Sequence, residues 1–365
     1  MVGKLTFNAA GIALSAALVC FAVVGCNSED YTPKEPAVAT TNVGTFGAAG
    51  STFIAPLFTR WSDDYVKDHH MRVNYRSIGS GAGLNELKEG LLTFAASDAP
   101  LSDAQLKDMP PLVQIPVTGG PVSVFYNLAG LSTPLKLSGK TLAGIFAGQV
   151  KSWQDPAITR ENPGVKLPNT PIIVVYRLDG SGTTSIFTTY LSSASQSWST
   201  STGHGLVVQW PVGLGQNGSA GVLATVKQTP GAIGYLELTY AKQAGVPVAS
   251  IENKAGEFIA PSPQSAALAI DAFKEELVKD LRTPTVDPPA SAKGAYPITG
   301  LSFILIPKEN NLPGQQRAFK DFVTYCLNDG QNSAEAMSYT RLPAPVLQQG
   351  QTLLAQLTEN GKPLN

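Results

Sequence analysis

The chain has 365 residues, of which 43% are hydrophobic and 15% charged, with a formal net charge of −1. That length exceeds what a single hydrophobic core usually supports, so two domains are expected. The composition excludes global disorder, and the charge balance excludes a nucleic-acid binder, which needs a basic stripe to neutralise phosphates. A near-neutral protein that binds an anion has to do so with locally placed donors.

The first residues read as a targeting segment. Lys4 supplies a positive flank, and residues 9–24 form an apolar run too short to span a bilayer comfortably. The run closes on Val23-Val24-Gly25-Cys26 and turns polar at Asn27-Ser28-Glu29-Asp30. That pattern is similar to a bacterial lipobox. Residues 1–25 are therefore expected to be a lipoprotein-type signal peptide and Cys26 the point of lipid attachment. An ordinary cleaved signal with an incidental cysteine is the alternative. Residues 26–44, rich in Pro, Thr, Ala and Glu, are expected to be the lipidated cysteine and a flexible tether. Cys20, Cys26 and Cys326 build neither a disulfide framework nor a metal cluster, and Cys326 reads as a core residue on a helix.

From residue 45 onward, apolar β-type runs alternate with amphipathic helical runs. Strands are expected at 72–78, 112–117, 122–127, 172–176, 233–238 and 302–306 from their Val, Ile, Phe and Tyr content. A helix is expected after Pro56, with Leu57, Trp61 and Tyr65 on one face, and another after the N-cap Ser138. Ala266, Ile270, Phe273, Leu277 and Leu281 form one further stripe. Phe319, Phe322, Val323, Cys326 and Leu327 form another, stopped near Gly330. Residues 280–297 read as a long surface loop. The alternation predicts an α/β fold with mostly parallel sheets.

Four loops are rich in Gly, Ser and Thr, and each opens a helix: Gly50-Ser51-Thr52-Phe53, residues 77–83, residues 177–184 and residues 213–221. Free N–H groups and the positive dipole end at a helix N-terminus favour an anion. Glycine allows close backbone approach, and the hydroxyls add donors. Each loop alone also fits an ordinary strand-to-helix turn. Arg177, two residues before Asp179-Gly180-Ser181-Gly182, can clamp two oxygens of a tetrahedral anion, with Asp179 orienting it or serving as a turn residue.

Asp98 lies in Ala96-Ser97-Asp98-Ala99-Pro100-Leu101, a small and apolar stretch. A carboxylate near an anion makes sense when the anion carries a proton. Phosphate has P–OH groups near neutral pH, and sulfate has none. Facing sulfate, a buried aspartate costs on the order of several kcal/mol. One carboxylate can thus separate two anions of similar size by repulsion. A turn or capping aspartate before Pro100 is the simpler alternative.

At these residues the chain resembles the substrate-binding proteins of bacterial phosphate-specific ABC transporters, the PstS family. The likeness runs from about Gly47 to the C-terminus. It includes the loops above, Val73-Asn74-Tyr75, Trp210-Pro211-Val212-Gly213, Gln228-Thr229-Pro230-Gly231-Ala232-Ile233-Gly234-Tyr235 and Tyr296-Pro297-Ile298-Thr299. The resemblance implies a two-lobed periplasmic binding protein fold, a type II-like clamshell with two hinge crossovers and the ligand in the interdomain cleft. The lobes are expected at 45–123 with 301–365, and at 124–300. The implied phosphate contacts are Thr52, Phe53, Ser80, Asp98, Arg177, Ser181, Gly182 and Thr183, with Asp179 steadying Arg177. It also implies no cofactor, a monomer, and delivery to the permease and ATPase subunits of a phosphate importer. Gly81 stands where a second serine is common in the family, Ile54 where proline is common, and Tyr176 where another arginine often precedes Arg177.

Two enzyme readings are weaker. Ser138-Gly139-Lys140-Thr141 lacks the upstream glycine of a P-loop, since that position is Pro134. Ser181 has no Gly-x-Ser-x-Gly elbow. His204 leaves a base available to a phosphatase using the Gly-Ser-Gly-Thr loop, and His69 and His70 sit at a helix end. A binding protein for another tetrahedral oxyanion is the remaining alternative.

Overall fold

The computed structural model describes residues 44–131, 133–310 and 315–364. The expected signal peptide, the lipid-attachment residue Cys26 and the tether through residue 43 lie outside the described residues. Gly44, expected in the tether, already begins a strand.

Eight strands form the main sheet: β1 (Gly44–Gly50), β2 (Met71–Ser77), β3 (Phe94–Ser97), β4 (Leu112–Tyr126), β5 (Ile173–Arg177), β6 (Leu214–Gln216), β7 (Ala232–Glu237) and β8 (Thr299–Pro307). Their order is β2-β1-β3-β8-β4-β7-β5-β6. The flanks are parallel, with β1 beside β2 and β3, and β5 beside β6 and β7. The middle is antiparallel, where β8 pairs with β3 and β4, and β4 with β7. The expectation of mostly parallel sheets therefore holds only for the flanks. Two strands that carry the chain out of one half and back into it run in opposite directions where they meet.

The central strand departs most from expectation. Residues 112–117 and 122–127 read as two strands, separated by Gly119-Gly120-Pro121. They are one 15-residue strand, β4. Pro121 sits where β4 changes partner from β8 to β7, so its missing N–H breaks no ladder. The glycines are there for space. A Cβ on Gly120 would come within 3.2 Å of the Phe53 ring, and one on Gly119 within 2.6 Å of Ile270.

Strands β1 and β3 carry little β-branched signal to read, Thr45 alone. Their Ala48, Ala49, Ala95 and Ala96 are fully buried and let helices lie close. The stripe at 266–281 is two helices, Pro263–Asp271 and Lys274–Lys279, because the backbone leaves helical geometry at Phe273. The helix carrying the 319–327 stripe does stop just before Gly330, at Leu327, and Gly330 itself begins the next helix, Gly330–Ala336. Its bare backbone lets Trp61 Nε1 donate to the Gly330 carbonyl at 2.8 Å. Residues 280–297 are irregular but not simply surface. Leu281, Thr285, Ala295 and Tyr296 are buried, and the Tyr296 hydroxyl donates to the Val122 carbonyl of β4.

Two groups of aromatic rings pack within the main hydrophobic core. Phe58, Phe94, Phe319 and Phe322 pack together in one. Phe146, Phe187, Trp210 and Tyr235 pack together in the other. Several expected elements appear nearly as read, including the helix Ala55–His69, with Pro56 in its first turn, and the Ser138 cap on Gly139–Phe146.

The helix Ser80–Lys88 presses on the end of β1 through Gly83, where a Cβ would lie 2.5 Å from Gly50 Cα and 2.8 Å from the Ala49 carbonyl oxygen. Gly83→Ala should therefore destabilise by about 1–3 kcal/mol, outweighing the ~1 kcal/mol that alanine normally adds to a helix interior. Chemical denaturation is the check, and an unchanged or raised midpoint would remove this contact from the account.

Candidate functional site

The helices that follow β2, β5 and β6 begin inside the loops singled out in the sequence: Ser80–Lys88, Gly182–Ala194 and Gly218–Gln228. Their N-termini converge with the loop after β1 on one buried polar cluster. Thr52, Phe53, Ser80, Asp98, Arg177, Ser181 and Thr183 are each at most 5% exposed.

Asp98 follows the end of β3. The Ser51 hydroxyl lies 2.7 and 2.6 Å from its two carboxylate oxygens, and the Ser302 hydroxyl of β8 donates to Oδ1 at 2.5 Å. Burial pushes this carboxyl up to about 6, against the hydrogen bonds of Ser302 and Ser51 and the charge of Arg177, which act to lower it. A Cβ on Gly182 would come within 2.7 Å of the Asp98 backbone N and Oδ2. Only glycine lets this helix start so close to the carboxylate. The Ser80 hydroxyl bridges both, accepting from the N–H of Gly182 at 3.1 Å and of Asp98 at 3.4 Å.

Arg177 ends β5. Its Nε and Nη2 donate to the two oxygens of Asp179 at 2.7 and 2.5 Å. Its Nη1 donates to Thr52 Oγ1 at 2.9 Å and to Ser219 Oγ at 3.4 Å. Burial works to raise the Asp179 carboxyl, but the hydrogen bonds and charge of Arg177, with the Gly218 N–H, hold it below the usual aspartate range. The guanidinium is thus fixed in a fork by Asp179, and its remaining edge faces the loop after β1.

The loop itself is held from behind. Tyr75 donates to the Ser51 carbonyl at 2.6 Å, Tyr240 to the Thr52 carbonyl at 2.7 Å, and Tyr339 to the Phe53 carbonyl at 2.6 Å. The Phe53 N–H donates to Ser51 Oγ, and its ring packs edge-on against Tyr339. Ser181 caps its helix by accepting the Thr184 N–H at 3.1 Å. Thr183 Oγ1 is buried without a hydrogen-bond partner among the described residues. A buried hydroxyl with no partner at a helix N-terminus is a donor awaiting an acceptor.

The halves touch across the pocket, where the Gly81 N–H donates to the Gly180 carbonyl at 2.9 Å. A Cβ on Gly81 would sit 3.1 Å from Gly180 Cα, so the two loops approach tightly at this glycine, which stands where serine is common in the family. Every described residue named for the site converges here. Ser51, Ser219, Ser302, Tyr75, Tyr240 and Tyr339 were not named. Ser51 and Ser219 lie in the loops already singled out, whereas Ser302 and the tyrosines carry no local signal.

A family model described as a PBP superfamily domain matches residues 35–329. The phosphate-binding protein PstS of Xylella fastidiosa (strain Temecula1) is 38% identical over 326 residues, covering 89% of each chain. That of Pasteurella multocida is 39% identical, covering 85% of this chain and 89% of its own. Among solved structures, the phosphate-binding protein of Stenotrophomonas maltophilia superposes with a TM-score of 0.67 at 19% identity, over 84% of this chain and 93% of that one. The chain therefore belongs to the PBP superfamily and, within it, to the PstS family of phosphate-binding proteins.

Proposed function

We propose that this protein binds inorganic phosphate outside the cytoplasmic membrane and delivers it to the permease and ATPase subunits of an ABC-type importer. It is a binding protein and not an enzyme. One observation carries the ligand: a buried carboxylate, Asp98, beside a guanidinium and the N-termini of helices. An acceptor among donors suits an anion that keeps a proton, and phosphate does. The names of the relatives point the same way.

In this reading Asp98 accepts the phosphate P–OH. Arg177, steadied by Asp179, supplies the cationic contact, and Thr52, Phe53, Ser80, Ser181, Gly182 and Thr183 supply hydroxyl and N–H donors. Residues 45–123 with 301–365 act as one lobe and 124–300 as the other, hinged where β4 and β8 cross. The protein acts as a monomer in the periplasm or cell envelope, exported by residues 1–25 and anchored by lipid on Cys26. A hydrolase is disfavoured because Ser181 Oγ is engaged in capping and His204 lies exposed.

Asp98→Asn should still bind phosphate but accept sulfate at least tenfold more tightly than the native chain, since the repulsion is gone. Calorimetry with both anions tests this, and unchanged discrimination would remove Asp98 from the role. Arg177→Ala should weaken phosphate by more than tenfold, because a charge-assisted contact is lost and Asp179 is left unpaired; wild-type affinity in that variant would count against the site.

The ligand-free protein carries a linked pH effect. Asp98 is raised from 3.8 to about 6 on folding, so its contribution is fully present below pH ~4 and is lost as pH rises through about 6. Relative to the native chain, Asp98→Asn should therefore gain stability between about pH 4 and 8, on the order of 2–3 kcal/mol. Denaturation midpoints of both proteins across that range, without anion, give the answer. A constant difference would mean Asp98 is not raised.

A further inference from the structure

Behind the pocket, on the hinge side, lies a second polar cluster that the anion site does not use. Glu237 ends β7 opposite Val122 of β4, where β4 passes between lobes, and it is fully buried. One carboxyl oxygen accepts the Thr239 N–H at 2.8 Å and caps the helix Leu238–Ala244. The other, Oε2, is buried without a partner. The groups acting on it are the backbone N–H groups of Thr239 and Tyr240 and the side chains of Thr239 and Tyr339, with no cation among them. Lys242, on the same helix, is committed to Ser338 at 2.9 Å. Asp98 and Arg177 lie beyond Tyr240, near enough to act on that phenol.

The two tyrosines decide the chemistry. Each has one proton. Tyr240 gives its proton to the Thr52 carbonyl and Tyr339 gives its proton to the Phe53 carbonyl. Neither has a proton left for Glu237. An ionised Glu237 would be a buried charge whose second oxygen finds no donor. A protonated Glu237 instead has a donor to offer, and a tyrosine oxygen has free lone pairs to accept it. Burial accordingly holds the Glu237 carboxyl up at about 8. The same frame ties the lobes together, since Thr239 Oγ1 donates to the Met337 carbonyl at 2.7 Å.

We propose that Glu237 is a positioning residue for the anion site: held as the neutral acid, it donates toward the Tyr339 hydroxyl, and through Tyr339, with Tyr240 on the helix it caps, it sets the 51–53 loop that faces Asp98 and Arg177. Proton loss from Glu237 pulls a tyrosine proton away from a loop carbonyl and loosens that loop. This rests on the phosphate reading above for its ligand, but not for its mechanism.

The test compares the native chain with Glu237→Gln, which keeps a neutral donor that cannot ionise. Phosphate affinity is measured by calorimetry from about pH 6.5 to about pH 9.5, and the ratio of the two proteins at each pH cancels the titration of phosphate itself. The ratio should be near one at the acidic end, with the native chain weaker by about tenfold at the alkaline end. Tyr339→Phe should be weaker than the native chain at the acidic end and lose most of the drift. A pH-independent ratio, or a Gln variant weaker throughout, overturns the proposal. Hydrogen exchange of the 51–53 amides in the phosphate-free proteins provides a readout that needs no ligand. Protection in the native chain should fall with alkaline pH relative to Glu237→Gln, and equal protection overturns the proposal. If no phosphate binds at any pH, the proposed function fails, while the exchange comparison still decides the role of Glu237.

Discussion

Asp98 is a carboxylate with almost no water around it, and the nearby structure is arranged to make that tolerable. Two serine hydroxyls from distant parts of the chain donate to it, and a guanidinium lies within reach of its charge. These offset much of the desolvation, but not all, which is why its titration sits near neutrality and not near 4. A carboxylate left slightly short of partners is still able to accept one more hydrogen bond. On the proposed reading, the shortfall is what a protonated anion fills and what an unprotonated one makes worse.

Holding that arrangement requires elements far apart in sequence to meet within tenths of an ångström. Ser51 follows β1, Asp98 follows β3, Arg177 ends β5, and Ser302 lies within β8. The antiparallel middle of the sheet makes this possible. β8 pairs with β3 so that Phe303 is opposite Ser97, which sets Ser302 beside Asp98. β4 continues past β8 to pair with β7, bringing Tyr235 within reach of β5. The Tyr235 hydroxyl then accepts the Arg177 N–H at 3.2 Å and pairs with Thr184 at 2.6 Å, joining the strand that carries the guanidinium to the helix that carries Thr183. The glycines at 81, 119, 120, 180 and 182 mark where these approaches are too close for a side chain.

Much of the site was legible because its donors are local features. A Gly/Ser/Thr loop between a strand and a helix puts N–H groups at a helix end wherever the rest of the chain goes, so Ser80, Ser181, Gly182 and Thr183 could be picked out without knowing the fold. Arg177 stood out because it precedes such a loop, and the role of Asp98 came from the chemistry of the ligand. Ser302 was not legible. A serine within a buried strand looks like any polar interruption until topology brings an aspartate to it. The same holds for Tyr240 and Tyr339, which reach the 51–53 loop across 188 and 286 residues of sequence. The strand error at 119–121 has a related cause: glycine and proline signal turns locally, and here they serve close packing and a change of strand partner.

Among the described residues, the charged side chains of this cluster are Arg177, Asp98 and Asp179, so before any ligand arrives it is formally negative when Asp98 is ionised. It cannot hold an anion by net charge, and the whole chain, at −1, supplies no field to help. On the proposed reading, attraction comes from short-range dipoles: N–H groups at helix starts, the Thr52 and Thr183 hydroxyls, and the Nη1 edge of a guanidinium neutralised by Asp179 and shared with Thr52 and Ser219. Dipoles fixed in place by folding do not reorganise when the ligand binds, and they act only within the pocket, where water is excluded. Affinity built this way depends on loop geometry more than on charge. On the proposed reading, the three tyrosines that hold the carbonyls of residues 51–53 from behind therefore matter as much to anion capture as the groups that face it.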